Sequence, residues 1–555
     1  MLPGGRRGMS GDAVVQSKPF AITLDVGSSL LNRTGTWRTE RPAYLDRLPP
    51  CNEACPAGEN IQAWLGDAEE GDYEAAWRQI MDDNPLPATM GRVCYHPCEG
   101  ACNRAQLDEA VGINSVERFL GDQALKYGWT MEAGNPTSRQ VMIIGAGPSG
   151  LAAAYHLRRF GHAVTIFEAL PQAGGMIRYG IPKYRMPREK LQAEIERIEA
   201  MGACIELNTR IDDVGFAKKE GKFDAVFLCI GAQQSKRIDI PMEGDTAMLD
   251  AVEVLRDTEL ENPTQLRGRV LAYGGGNTAI DVARTAVRLG ARQTSVIVLE
   301  AREYMPAHDF EIHEALEEGA ELRCLRSIKQ VSGNTVTLEI MAAGEDRWPQ
   351  PTGQFETLDV DVIVQALGQN VDTALLEKIQ GLTINNGIVE IGLDMQTGAK
   401  GIFAGGDIVP SARTVTTSIG HGKKAARNID AYLRGEKYLS LETHEVADFT
   451  KLNTWYYSDA PRTLRPTLDV VRRQSGFAEV VGDLDQSNAL YEARRCMSCG
   501  NCFECDNCYG VCPDNAITKL GPGKRFEFKY DYCKGCSLCA TECPCGAIKM
   551  IPEDI

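Results

Sequence analysis

The sequence predicts an α/β protein: two doubly wound nucleotide-binding domains, one inserted in the other, between two small cysteine-rich modules. Three observations predict it. Short apolar runs break into glycines and then into helical periodicity at 139–150 and again at 269–279. Strand-like endings recur in AVFLCIGA (225–232), DVIVQALG (361–368) and GIFAGGD (401–407). The 19 cysteines are clumped, five from Cys51 to Cys102 and eleven from Cys496 to Cys545.

Composition narrows the function classes. A chain of 555 residues has room for three or four domains at roughly 150 residues each. Its 59 Lys and Arg against 76 Asp and Glu give a net charge of −17, which argues against nucleic-acid binding. No apolar run reaches the roughly 18 residues of a membrane span. The start, MLPGGRRGMSGD, lacks the apolar stretch of a secretory signal, so the expected location is cytoplasmic. In a reducing compartment, clustered cysteines point to metal or redox chemistry before disulfides.

In chain order, residues 1–40 are rich in Gly, Arg, Ser and Thr and are expected to form an irregular arm. Residues 41–134 are expected to be a small helical domain: apolar residues at 61, 64, 65, 73, 76, 77 and 80 keep helical spacing until Pro85 and Pro87. Its apolar core is thin without metal. Residues 135–246 and 371–440 are expected to form one nucleotide-binding domain, with 247–370 the inserted one. Residues 441–490 show no motif and are expected to be a linker, and 491–555 a compact cysteine-rich module.

The first glycine fingerprint is Gly145-x-Gly147-x-x-Gly150, after a strand and opening a helix. The first glycine permits the tight turn, the second lets backbone approach a pyrophosphate, and the third packs helix on sheet. Pro148 and Ser149 belong to the helix start, whose free N–H groups suit phosphate. Glu168 ends the next strand, placed to accept from ribose hydroxyls. Gly175 and Met176 in QAGGMIRYG, and Gly406 and Asp407 late in the chain, are candidates for the same dinucleotide, expected to be FAD. So are Thr416 and Thr417, where a helix begins whose N-terminus suits negative charge on a reduced flavin.

The second fingerprint, Gly274-x-Gly276-x-x-Ala279, brings Asn277 and Thr278 to a helix start, and Gly368 closes a later strand. Glu300 ends the strand that follows; its carboxylate would bond a free 2′-hydroxyl and repel a 2′-phosphate, favouring NAD(H) over NADP(H). The alternative is that Glu300 faces solvent and Arg302 makes the deciding contact.

The tail carries Cys502-x2-Cys505-x2-Cys508-x3-Cys512-Pro513 and Cys533-x2-Cys536-x2-Cys539-x3-Cys543-Pro544, the two-cluster ferredoxin spacing. The fourth cysteine of each run serves the other cluster. One 4Fe–4S cluster is thus expected on Cys502, Cys505, Cys508 and Cys543, the other on Cys533, Cys536, Cys539 and Cys512. Cys204, Cys229 and Cys324, in strand-like settings, are expected to be inert core residues.

The stretches GAGPSGLAAAYHL, QAGGMIRYGIPKYRMP, GGGNTAIDVART, EYMPA and AGGD, in that order, resemble the small (β) subunit of glutamate synthase. They are also similar to the flavin domain of dihydropyrimidine dehydrogenase and to the large subunit of NADH-dependent ferredoxin:NADP oxidoreductase. The likeness runs from about residue 50 to 440. It implies two interleaved Rossmann-like domains in a glutathione-reductase-like arrangement, an N-terminal iron–sulfur domain, and a C-terminal α+β ferredoxin-like domain beyond it. Members using NADPH resemble one another in paired arginines where this chain has Leu299 and Glu300.

The resemblance also implies two 4Fe–4S clusters on the head motif Cys51, Cys55, Cys94, Cys98 and Cys102. The family's leading CxxC pair is missing here; residues 41–50 read RPAYLDRLPP. A similar string, RRCMSCG, stands at Cys496 and Cys499. The expectation is that Cys496 and Cys499 fold back to join Cys51 and Cys102. The family's side-chain oxygen ligand then maps to Glu117, joining Cys55, Cys94 and Cys98. Four clusters take sixteen ligands, here fifteen cysteines and one carboxylate.

The expected activity is that of a flavin-dependent oxidoreductase exchanging electrons between NAD(H) and iron–sulfur clusters. A flavin converts between two-electron and one-electron carriers, so no catalytic side chain is required. The tail is similar to the ferredoxin-type subunit of 2-oxoacid:ferredoxin oxidoreductases, which implies catalytic subunits of that type as partners, or a free ferredoxin. The alternatives are a glutamate synthase small subunit and a non-enzymatic iron–sulfur scaffold.

Overall fold

Four of the five residues of Gln140–Ile144 are buried apolar side chains, three of them β-branched. Such a strand needs cover on both faces, which a parallel sheet between helices provides. In the computed structural model, which describes residues 33–260, 266–344, 348–437 and 444–553, it is the centre of five parallel strands. Their order is Ile402–Ala404, Ala225–Leu228, Gln140–Ile144, Ala163–Phe167 and Ala203–Glu206. The helices Pro148–Arg159 and Val415–Arg434 pack on each other over this sheet. Gly422 allows it, since a Cβ there would come 2.3 Å from the Ser149 carbonyl.

The chain leaves this domain through Gln234–Ser235 and returns through Gln369–Asn370, and the two crossings pair antiparallel. Between them lies a second all-parallel sheet, ordered Glu321–Arg323, Ala291–Ile297, Gly268–Tyr273, Val362–Gln365 and Ala247–Asp250. The crossing therefore precedes the boundary at 246 expected from sequence. Met242–Glu243 already pairs with Arg326–Ser332 of the inserted domain. Arg326–Ser332 also belongs to an antiparallel meander with Thr335–Ala342 and Gln350–Asp359, which the sequence reading does not anticipate. Val336 and Leu338 point from it into a small core with Leu271, Ile297 and Ile363.

The two ends differ more from expectation. Glu40–Tyr44 is a strand of the C-terminal module, paired antiparallel with Ile548–Pro552 from Glu40↔Pro552 to Tyr44↔Ile548. Gly35 N–H donates to the Asp531 carbonyl at 3.0 Å, and the Tyr530 hydroxyl donates to the Pro42 carbonyl at 2.9 Å. The boundary expected at 40/41 thus falls inside a strand. Pro42 hid it, and a two-stranded ribbon, which is all edge, accommodates Pro42. Residues 1–32 of the expected arm lie outside the described residues.

Nor is 444–490 a bare linker. Val446 bridges to Leu48, and Arg104 Nη2 donates to the Ser458 carbonyl at 3.0 Å. The helix Gln486–Arg494 lies on Ile61–Glu70 and Ile113–Tyr127. Leu484, Ala489 and Ala493 enter one core with Trp64, Phe119 and Leu120. The thin head core is completed by chain from the far end. Among the described residues no helix is long and apolar enough to cross a membrane.

Candidate functional site

The helix starts after both fingerprints border one cleft. On the first side Gly145 takes φ +110°, and a Cβ there would lie 2.5 Å from the Cys229 carbonyl. A Cβ on Gly150 would lie 2.0 Å from the Gly145 carbonyl, whereas one on Gly147 would meet nothing nearer than 3.9 Å. Two glycines are needed for packing, and the middle one leaves room toward the cleft. Ser149 Oγ is buried without a hydrogen-bond partner among the described residues. Glu168 accepts from the N–H groups of Ala146 (2.8 Å) and Leu170 (2.9 Å), holding the glycine loop, while burial raises its carboxyl. A glycine cradle, an unpartnered hydroxyl and a helix N-terminus fit the pyrophosphate of a dinucleotide.

Pro148, Gly175, Met176, Gly406 and Asp407 also line the cleft. Burial raises the Asp407 carboxyl, which accepts from Ser418 Oγ at 3.4 Å. Thr416 and Thr417 do not line it; Thr414, Val415 and Ser418 do. Residues 415 and 418 share a helix face and 416 lies a third of a turn away. Thr417 serves the cap, its N–H donating to Thr414 Oγ1 at 3.1 Å. Thr416 turns from the cleft and donates from Oγ1 to Cys94 Sγ at 3.1 Å.

On the second side Gly274 takes φ +146°, and around Gly276 there is open space. Asn277 and Thr278 reach the cleft. Gly368 instead shapes the crossing, at φ +100° with its carbonyl accepting the Lys236 N–H at 2.8 Å. Glu300 sits beside the loop, its Oε2 3.1 Å from where a Gly275 Cβ would stand. Arg302 is paired with Asp309 at 2.8 Å.

The cysteines form four sets, and none is in a disulfide. Cys51, Cys102, Cys496 and Cys499 line one small cavity. Burial raises Cys51, Cys496 and Cys499, and repulsion within the set adds to it. Cys512, Cys533, Cys536 and Cys539 line a second small cavity. Cys502, Cys505 and Cys508 face Cys543, and burial with mutual repulsion pushes Cys508 up to about 12. Raised in this way, these thiols stay protonated on their own and would ionise against a shared cationic centre such as iron. Among the described residues no group of three or more His, Cys, Asp or Glu is spaced for a single metal ion.

The fourth set is Cys55, Cys94 and Cys98, with Glu117 acting on all three. Two glycines bring it together. A Cβ on Gly121 would lie 2.3 Å from Ala88 N, and one on Gly91 2.3 Å from Arg118 Cβ, so Pro87–Val93 and Ile113–Tyr127 cross in contact. Burial and the Glu59 charge raise Glu117 well above the carboxylate range. Asn84 Nδ2 donates to both Glu117 (2.9 Å) and Glu59 (3.0 Å).

Sequence reasoning missed Asn84, the Thr416–Cys94 bond and Tyr95, although Tyr95 stands inside the cysteine motif. It also misplaced Cys204, which is exposed on an edge strand, while Cys229 is buried under the first glycine loop. Cys545 is buried, its sulfur 3.7 Å from that of Cys543.

Two fingerprint helices opening on one cleft, beside clustered buried thiols, define a flavin- and nicotinamide-dependent iron–sulfur oxidoreductase. The family described as pyridine nucleotide-disulphide oxidoreductase matches residues 139–422, and the 4Fe-4S domain II of dihydropyrimidine dehydrogenase matches residues 45–129. The chain belongs to the pyridine nucleotide-disulphide oxidoreductase family, in the branch with an N-terminal iron–sulfur domain. It is 36% identical to the NADP(+)-dependent formate dehydrogenase subunit beta of Moorella thermoacetica, over 81% of this chain and 70% of that one. It is 34% identical to the NADPH-Fe(3+) oxidoreductase subunit beta of Geobacter sulfurreducens, over 82% and 76%. It is 32% identical to the glutamate synthase [NADPH] small chain of Escherichia coli, over 69% and 89%.

Proposed function

We propose that the chain is the electron-transferring subunit of a larger oxidoreductase, exchanging electrons between NAD(H) and four 4Fe–4S clusters, with FAD as the intermediate carrier. The observation that carries this is the junction at Cys94. The helix that lines the dinucleotide cleft through Val415 and Ser418 donates from Thr416, on its other side, to a head cysteine. FAD, when bound, supplies the conversion between hydride and single-electron transfer. The chain's own residues cradle phosphates at Gly147 and Ser149, hold the loop through Glu168, and place the Cys55, Cys94 and Cys98 set beside the cleft. In this reading Cys55, Cys94, Cys98 and Glu117 hold one head cluster, and Cys51, Cys102, Cys496 and Cys499 the other. The tail runs hold the remaining two, as their spacing implies.

The relatives named as beta subunits support a catalytic partner. The ferredoxin-like tail supports a partner of 2-oxoacid:ferredoxin oxidoreductase type. The formate dehydrogenase relative supports a second reading, in which the partner is a formate-oxidising subunit. Anaerobic purification of the tagged chain, with its partners identified by mass spectrometry, separates the two. NADH is expected to bleach the flavin absorbance of the purified protein anaerobically; no bleaching would leave only the scaffold reading. The preference for NAD(H) rests on Glu300 beside the second loop and on Arg302 being engaged by Asp309. The NADP(H) named for the relatives makes this the sharpest test: equal kcat/KM with NADPH would refute it.

A further inference from the structure

The loop from Cys94 to Cys98 touches both nucleotide-binding domains, and the proposed reaction gives its contact with the second one no role. Tyr95 follows Cys94 and lines the cleft. Its hydroxyl accepts from Asn277 Nδ2 at 2.6 Å. Asn277 opens the helix after the second fingerprint, and its Oδ1 accepts the His308 N–H at 2.9 Å. The His308 ring lies on the Tyr95 ring, centroids 3.7 Å apart at 19°. Asn277, which lines the cleft, therefore ties Tyr95 to the place where a pyrophosphate meets the helix N-terminus, and Arg185, also in the cleft, hydrogen-bonds the same hydroxyl.

The other end of the loop is tied to sulfur. Cys94 Sγ accepts from the His96 N–H at 3.2 Å and from Thr416 Oγ1 at 3.1 Å. The His96 N–H belongs to the peptide that begins at Tyr95. His96 itself is held at φ +40°, a region non-glycine residues seldom enter, so the aim of that N–H depends on its neighbours. A displacement of Tyr95 turns the same peptide whose N–H points at Cys94. Hydrogen bonds to ligand sulfur set the potential of an iron–sulfur cluster.

We infer that Tyr95 is a positioning residue that couples dinucleotide occupancy of the second fingerprint to the potential of the cluster held at Cys94. The inference rests on the proposed reading of that fingerprint and of Cys94. By linkage the coupling is reciprocal: the redox state of the cluster changes nucleotide affinity by the same factor. A dinucleotide would then be held differently before and after the head cluster takes its electron.

The test uses the anaerobic holoenzyme and two redox-inert probes, ADP-ribose and 2′-phospho-ADP-ribose. Binding is measured by calorimetry. The head cluster is followed by electron paramagnetic resonance, its signal assigned by its loss in Cys94→Ser. In the wild type, whichever probe binds is expected to shift the midpoint potential of that cluster. It is also expected to bind oxidised and dithionite-reduced protein with affinities differing roughly fivefold or more. Tyr95→Phe keeps the ring and loses the hydroxyl; with iron and flavin content retained, it is expected to lose most of both effects. Asn277→Ala removes the same bond from the other side and is expected to do likewise, which keeps the test open should Tyr95→Phe load clusters poorly. A full-size shift in both variants marks a through-space effect of the probe's charge and overturns the inference. So does binding without a shift in the wild type. Failure of both probes to bind overturns instead the nucleotide reading on which it rests.

Discussion

The head and tail bring four cysteines together by opposite routes. In the tail, Cys502 and Cys543 stand 41 positions apart, and short loops bring the ligands together. In the head, Cys51 and Cys499 share a cavity across 448 positions. By (3/2)RT ln n, closing the longer loop costs only about 2 kcal/mol more than closing the shorter. Burying one large apolar side chain such as Leu484 contributes about 1.5–3 kcal/mol and offsets it. A distant ligand is therefore affordable when its own segment brings core with it, as Gln486–Arg494 does.

The contrast can be broken most severely at the returning pair. Cys496→Ala with Cys499→Ala is expected to remove one whole cluster, about four irons per chain, while both tail clusters persist. Iron analysis with electron paramagnetic resonance measures it, and unchanged iron content would sink the head assignment. The next largest effect is expected at Arg495, buried and bonded to the carbonyls of Ala110 (3.0 Å), Glu109 (2.6 Å) and Ala460 (3.0 Å), and paired with Glu492 (3.0 Å). Arg495→Met strands a buried carboxylate and should destabilise the head by about 3–5 kcal/mol, read as a drop in thermal midpoint.

Thr416→Val should make the Cys94 cluster harder to reduce by about 20–65 mV, one hydrogen bond of about 0.5–1.5 kcal/mol at one electron. Tail potentials should not move, and a redox titration that shifts all clusters alike would refute the local account. The smallest effect belongs to the tail surface. Arg525, paired with Asp46 across the start and end of the chain, is more than a third exposed. Arg525→Met should cost less than about 1 kcal/mol in denaturant unfolding.

What could be read beforehand follows the same division. The tail runs and glycine loops are local patterns in which spacing carries the chemistry, so Gly145, Gly274 and the eight tail cysteines were legible. The strand Glu40–Tyr44 was not, because Pro42 breaks its pattern and its partner lies some 500 positions away. The segment 444–490 looked motif-free because its neighbour Gln486–Arg494 contributes small apolar side chains to a core defined elsewhere. The run VTTS could not fix helix phase, so Thr416 was assigned to the cleft that Val415 and Ser418 line. Tyr95 was passed over because its partners, Asn277 and His308, are set by a tertiary contact between domains.

The pairing of Glu40–Tyr44 with Ile548–Pro552 sets a schedule for biosynthesis. A ribosome adding roughly 5–20 residues per second needs about 20–90 s between Cys51 and Cys499. Through that interval the head thiols Cys51 and Cys102 exist without half of their set, and the first strand waits for the last one. Completion of that set therefore waits for the segment carrying Cys496 and Cys499, and a nascent chain stalled before Cys496 offers two thiols to whatever oxidant or metal arrives first.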